Sequence, residues 1–198
     1  MRLSTFELCR VFPIDVAMRP GEQTKLLREV PATAIPAGSP LILPKDTEVT
    51  LTQSLGGSHT VAGAFGLARI EEKDQDALGL APVSVADVAV DSNEPADEKK
   101  VWNKLKEVFD PEIPVNVVDL GLVYSMELKP LPAGGSRAEV KMTLTAPGCG
   151  MGPTIQADAR NKILSVAGVK EAEVELVWEP AWTQSMISEE GKMKLGWV

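Results

Sequence analysis

The chain holds two cysteines, Cys9 and Cys149, and a single histidine, His59. Cys149 has the surroundings that bear most directly on chemistry. It lies in Thr143-Leu144-Thr145-Ala146-Pro147-Gly148-Cys149-Gly150-Met151-Gly152-Pro153, where an alternating apolar segment gives way to a helix start. The glycines let the backbone turn sharply and present several N–H groups on one side. Those dipoles, with the unpaired N–H groups that open a helix, stabilise a thiolate at this position. An accessible thiolate serves metal ligation and nucleophilic attack alike. Free cysteine is also a common buried filler, although flanking glycines and Pro147 are poor company for a packed core.

Carboxylates gather in a second stretch. Asp110-Pro111-Glu112-Ile113-Pro114 is followed closely by Asp119-Leu120-Gly121-Leu122. If this connection and the Cys149 loop share one end of a sheet, the acids can ligate a metal or take up a proton. The plainer alternative is turn chemistry, with Asp110 and Asp119 bonding neighbouring backbone N–H groups. His59 sits in Leu55-Gly56-Gly57-Ser58-His59-Thr60, and is either a base reaching Cys149 across domains or a packed turn residue. One histidine per chain excludes the H-E-x-x-H metalloprotease pair. Gly148, Gly150 and Gly152 match neither the Rossmann nor the Walker spacing.

The elements that must carry these residues follow from pattern. Residues 26–70 show no sustained helical period, and short β-type runs alternate with turn signals such as Pro36-Ala37-Gly38 and Gly56-Gly57. Residues 26–80 are therefore predicted to form a small all-β domain, preceded by an extension at 1–25. A Pro, Asp and Ala-rich linker is expected at 81–94. Pro95 then suits a first helical turn, with Asp97 and Glu98 at the positive end of the dipole. Val101, Trp102, Leu105, Val108 and Phe109 recur at helical spacing, and the helix is predicted to stop before Pro111. Strands are expected over 123–128 and 138–145, joined as a hairpin through 130–136. A second helix should begin near Pro153, bury Ile155, Ala159, Ile163 and Val166, and end at Gly168. A last strand spans 171–178, and a short helix near 188–194 belongs to the tail. Residues 95–198 thus read as an αββαβ two-layer domain, and the whole chain as α+β.

Composition narrows the classes of function. With 198 residues, 44% of them hydrophobic, the chain can bury two modest cores. A formal net charge of -8 repels nucleic-acid phosphates, so DNA and RNA are not expected partners. There is no eighteen-residue apolar run and no secretory pattern at the N-terminus, so neither a membrane nor export is expected and a cytoplasmic location is. In that setting the cysteines are thiols rather than a disulfide scaffold.

The stretch from Asp110-Pro111-Glu112-Ile113-Pro114 through Asn116 and Asp119-Leu120-Gly121-Leu122-Val123-Tyr124, followed by Thr143-Leu144-Thr145 and Cys149, resembles the small α/β domain of iron-sulfur assembly proteins. That domain is also found in the phenylacetate-pathway protein PaaD and in the eukaryotic targeting subunit of cytosolic cluster assembly. Ile35-Pro36-Ala37-Gly38, the run from Thr47 to Ser58, Arg69-Ile70 and Asp76-Ala77-Leu78-Gly79 resemble the N-terminal domain of the longer bacterial SufT type. The resemblance implies a non-enzymatic cytoplasmic maturation factor that works with Suf assembly proteins and client apoproteins. It implies that Cys149 is the cluster-linked thiol, with Asp110, Glu112, Asp119 and Thr145 as surrounding motif residues. Gly150 departs from the pattern, since many relatives of the smaller domain carry proline there. An iron-sulfur cluster ordinarily takes four ligands, mostly thiolates. One thiol at the site therefore implies a cluster that is labile or shared in a homodimer or with a client. A metal-free adaptor and a thiol enzyme are the alternatives.

Overall fold

The computed structural model describes residues 18–81 and 93–197. Cys9, most of the expected extension at 1–25, and residues 82–92 of the expected linker lie outside them.

The first half is built from strands β1 (Gln23–Lys25), β2 (Val30–Ile35), β3 (Pro40–Leu43), β4 (Glu48–Leu55), β5 (Ser58–Gly63) and β6 (Gly66–Ile70). They form one antiparallel sheet in the order β1-β4-β5-β6-β2-β3. Alternation is the reason for the strands. In β4, Val49 and Leu51 are buried while Glu48 and Thr52 face outward, as a period of two requires. Leu26, Val30, Leu43, Val61, Ala68 and Ile70 complete this core, and a 3-10 helix (Glu72–Leu78) closes it with Ala77 and Leu78. Arg28 ties that helix down through Asp74 and Asp76 at 2.9 and 2.6 Å.

The second half has the expected order: α1 (Glu98–Leu105), β7 (Val123–Pro130), β8 (Ser136–Met142), α2 (Gly152–Leu164) and β9 (Val169–Leu176). β7 and β8 form an antiparallel hairpin, whereas β8 and β9 are parallel, so α2 is the crossover of a βαβ unit. Val140, Met142, Ile155, Ala159, Ile163 and Val174 fill the space between sheet and helices. A 3-10 turn (Gln184–Met186) and α3 (Glu189–Lys194), capped by the Ser188 hydroxyl at 3.0 Å from the Gly191 N–H, finish the chain.

Several boundaries differ from expectation: β1 takes residues 23–25 from the expected extension into the sheet, and β8 and β9 begin and end two or three residues earlier than expected, while three helix limits also move. Pro95 precedes the first helix instead of occupying its first turn, because Asp97 is the N-cap and accepts the Lys99 N–H at 2.9 Å. That helix also ends at Leu105, well short of Pro111. Tight turns at Glu107 and Val108 close it, and the Val108 carbonyl then accepts the Val117 N–H at 2.9 Å while Phe109 bridges Asn116. Val108 is fully buried all the same, so its apolar spacing reported burial and not helix. α2 stops at Leu164, and Gly168, with φ 86°, lies beyond it at the entry to β9.

The two halves are pinned together at polar and backbone contacts. Arg69, 1% exposed, bonds Asp158 on α2 at 2.7 Å. Lys162 of α2 reaches across to Glu72 at 3.3 Å. The β4–β5 turn meets the end of α1 so closely that a Cβ on Gly56 would lie 1.8 Å from the Glu107 carbonyl oxygen.

Candidate functional site

The Cys149 loop is anchored at both ends and open in the middle. At the strand end, the Thr143 N–H donates to the Leu122 carbonyl at 2.8 Å, and Leu144 is buried in the core. At the helix end, Met151 is 1% exposed and plugs the same core, and the Gly152 N–H donates to the Cys149 carbonyl at 3.0 Å. Between these anchors Ala146, Pro147 and Gly148 are exposed. Cys149 is half-buried, and its thiol has no hydrogen-bond partner among the described residues. Thr145 stands half-buried just upstream. The thiol thus packs partly against the core of the second half, and among the described residues it is not paired with a base.

The sheet domain supplies one side of this loop. Ile35, at the end of β2, is 8% exposed and belongs to the core of the second half, alongside Met151 and Ile155. The β2–β3 turn that follows presses on the loop backbone to backbone. A Cβ at Gly38 would stand 1.9 Å from the Gly150 carbonyl oxygen, and one at Gly150 would stand 2.6 and 2.7 Å from the carbonyl oxygens of Pro36 and Ala37. This contact accounts for the glycine at 150, where many relatives of the smaller domain carry proline, since a Cβ there meets the turn.

The carboxylates occupy different neighbourhoods. Asp110 is 5% exposed and accepts the Glu112 N–H at 2.9 Å, which is the turn chemistry foreseen for it. Burial pushes its carboxyl above the usual range, against the Glu112 N–H and the Arg69 charge. Glu112 itself is exposed. Asp119 does not bond a neighbouring N–H through its side chain. Asn116 does so instead, accepting from Val118 and Asp119 at 3.0 and 2.8 Å. The Asp119 carboxylate accepts from Asn116 Nδ2 at 2.7 Å and from Lys194 Nζ at 3.0 Å. Burial pushes the Asp119 carboxyl up, but those hydrogen bonds and the charges of Lys194 and Lys106 outweigh it and hold it below the usual range. Among the described residues, no three His, Cys, Asp or Glu side chains gather closely enough to hold a metal ion.

His59 is buried and occupied elsewhere. Its ring nitrogens lie 3.0 Å from the Ser54 hydroxyl and 3.0 Å from the Gln75 amide oxygen, so it braces β5 against the 3-10 helix. Sequence reasoning passed over Lys194 and the roles of Asn116 and Arg69. An Asn three residues before an Asp was a readable turn signal; the partnerships of Arg69 and Lys194 span 89 and 75 residues and carried none.

A small mixed sheet with helices on one face, and a glycine loop carrying a thiol into the second helix, defines the class. Residues 98–176 match the family described as iron-sulfur cluster assembly protein. A Fe-S protein maturation auxiliary factor of Porphyromonas gingivalis is 43% identical over 101 residues, covering 51% of this chain and 92% of that protein. The Fe-S protein maturation auxiliary factor SufT of Staphylococcus aureus is 37% identical over 89 residues, 45% of this chain and 97% of its own length. Among solved structures, a conserved hypothetical protein of Thermotoga maritima is 36% identical, with 53% of this chain and 98% of that one covered at a TM-score of 0.45. The chain belongs to the iron-sulfur cluster assembly protein family. These matches fill the relatives almost completely, so neither maturation factor has residues left over for a counterpart of the six-stranded sheet domain.

Proposed function

We propose that this chain is an auxiliary factor in the maturation of iron-sulfur proteins, and that Cys149 is the thiolate through which it holds a cluster in transit. The observation that carries the reading is the half-buried thiol, without a hydrogen-bond partner among the described residues, on an exposed glycine loop at the start of α2, in a chain of this family. Among the described residues Cys149 is the one cysteine. A cluster held there needs ligands from outside: a second copy of the chain, small thiols, or the client. Incomplete ligation suits delivery, because a cluster with every position filled by one protein leaves slowly. Asp110, Glu112, Asp119 and Thr145 act as the frame of the site. Asp110 and Asp119 set the connection between α1 and β7, and Thr145 leads into the thiol loop. The partners are client apoproteins and Suf assembly proteins, and the location is the cytoplasm. No helix among the described residues is long and apolar enough to cross a membrane.

The test is anaerobic reconstitution of the full chain with iron and sulfide. Wild type should retain both and show iron-sulfur absorption; Cys149→Ser should lose them. Equal retention by the two proteins refutes the role of the thiol. The alternative is a metal-free adaptor that docks clients on assembly proteins. Wild type that binds no iron, with client capture surviving Cys149→Ser, selects it. An enzymatic role draws less support, since His59 is held by Ser54 and Gln75 and Asp119 by Asn116 and Lys194.

A further inference from the structure

We infer that the β2–β3 turn of the sheet domain, residues 36–38, is a built-in wall of the Cys149 site and a positioning element for its loop. The inference rests on Cys149 being the working thiol. Three observations converge on it. Gly38 and Gly150 approach backbone to backbone, with no room for a Cβ on either side. Ile35, next to the turn, is sunk in the core of the second half, so the contact is held by apolar burial and not by the turn alone. Arg69 of the same sheet bonds Asp158, on the helix that Cys149 introduces. Loop and helix are therefore gripped at two levels by a domain for which the matched relatives have no spare residues.

The consequence is mechanical and chemical together. A glycine-rich loop is intrinsically free, and freedom at Gly148 and Gly150 lets the thiol swing between solvent and core. A wall against Gly150 removes most of that freedom and leaves Cys149 half-buried. Docking the sheet domain thus sets how readily the thiol is reached by a small electrophile or by a cluster arriving from a donor.

The experiment uses the full chain in a Cys9→Ser background, where Cys149 is the sole thiol. Its alkylation by iodoacetamide is followed at fixed pH. Gly150 has no positive φ, so Gly150→Ala adds only the clash with Pro36 and Ala37. Gly38→Ala makes the same clash from the other side and adds the strain of a side chain at φ 69°. Each should raise the alkylation rate roughly tenfold, the factor that follows from ~1.4 kcal/mol of lost ordering. The double variant should be no faster than either single, because one contact can be lost only once. Gly56→Ala, which disturbs the other backbone contact between the halves, should leave the rate within about twofold.

Folded single variants that react at the parental rate overturn the inference. So does a double variant whose effect is the product of the two, or a Gly56→Ala as fast as Gly150→Ala. If neither glycine variant folds, Ala37→Cys decides: its exposed position tolerates the change, and a short bismaleimide must then bridge the introduced thiol to Cys149. Absence of that cross-link in folded protein overturns the contact. Iron and sulfide retention is measured separately, so a wild type that binds neither rejects the cluster role while the alkylation rates still judge the wall.

Discussion

Arg69→Met should cost about 2–4 kcal/mol of stability at pH 7, because it breaks a buried ion pair from one side only. The guanidinium is 1% exposed and lies 2.7 Å from the Asp158 carboxylate, which is itself 11% exposed. Removing one partner of such a pair ordinarily costs about 3–5 kcal/mol, since the other charge stays desolvated. Two features pull the figure down here. Asp158 keeps enough exposure to recruit water, and the Arg69 Nη1 is buried without a hydrogen-bond partner while Nε has only a 3.4 Å ion pair with the half-exposed Glu71, so their removal relieves part of a cost. One feature pulls it up: the Arg69 charge also restrains the buried carboxyl of Asp110. The companion Arg69→Met with Asp158→Leu leaves no stranded carboxylate at that pair and should return to within about 1 kcal/mol of wild type. All four tryptophans, at 102, 178, 182 and 197, lie in the second half. In a urea titration, tryptophan fluorescence therefore follows that half while far-UV circular dichroism follows both. The two probes should coincide in wild type and separate in Arg69→Met, with the sheet domain melting first. A loss under about 0.5 kcal/mol with coincident transitions, the size expected of an exposed pair, refutes the assignment of Arg69 as the pin between the halves.

Two carboxylates make opposite pH predictions. Asp110 has a folded-state proton affinity above the ordinary 3.8, so the native state holds its proton more tightly than the unfolded chain does. Its contribution to stability therefore declines as pH rises from 3.8 through the raised folded value. Asp110→Asn keeps an acceptor for the Glu112 N–H, and should be more stable than wild type at pH 7, with the gap closing in acid; a constant gap across that range sinks the idea. Asp119 is held below 3.8, so its contribution is complete above that pH and is lost as pH falls through the lower folded value. Lys194→Met should cost about 1 kcal/mol at pH 7, discounted because the lysine is 41% exposed. That difference should shrink below pH 3.8 in chemical denaturation, and a difference that grows in acid rules the pairing out.

Legibility from sequence followed the range of each interaction. The αββαβ order could be read because strand alternation and the apolar stripe of α2 are local, as Val140 and Met142 or Ile155 and Ala159 show. Helix ends were less legible. Val108 and Phe109 keep helical spacing yet leave the helix, because their backbone is engaged by Asn116 and Val117. At the site, the open glycine loop and the turn at Asp110 were legible, since both depend on neighbours in sequence. The Asp119 partnership was not, because Lys194 returns to it from the far end of the chain.

The N-terminal segments that resembled a known domain turn out to share a location more than a chemistry. Ile35 and Gly38 meet the thiol loop, Gly56 meets the end of α1, and Arg69 meets α2. His59, the candidate base there, braces its own sheet instead. A residue chosen for shape at a junction leaves no chemical signature in sequence, only glycine, proline and a solitary arginine where the pattern did not ask for them. The sheet domain is thus built to dock. It docks against the end of α1 as well as the loop and helix that present Cys149, and the inferred route from that docking to function is the freedom of that thiol.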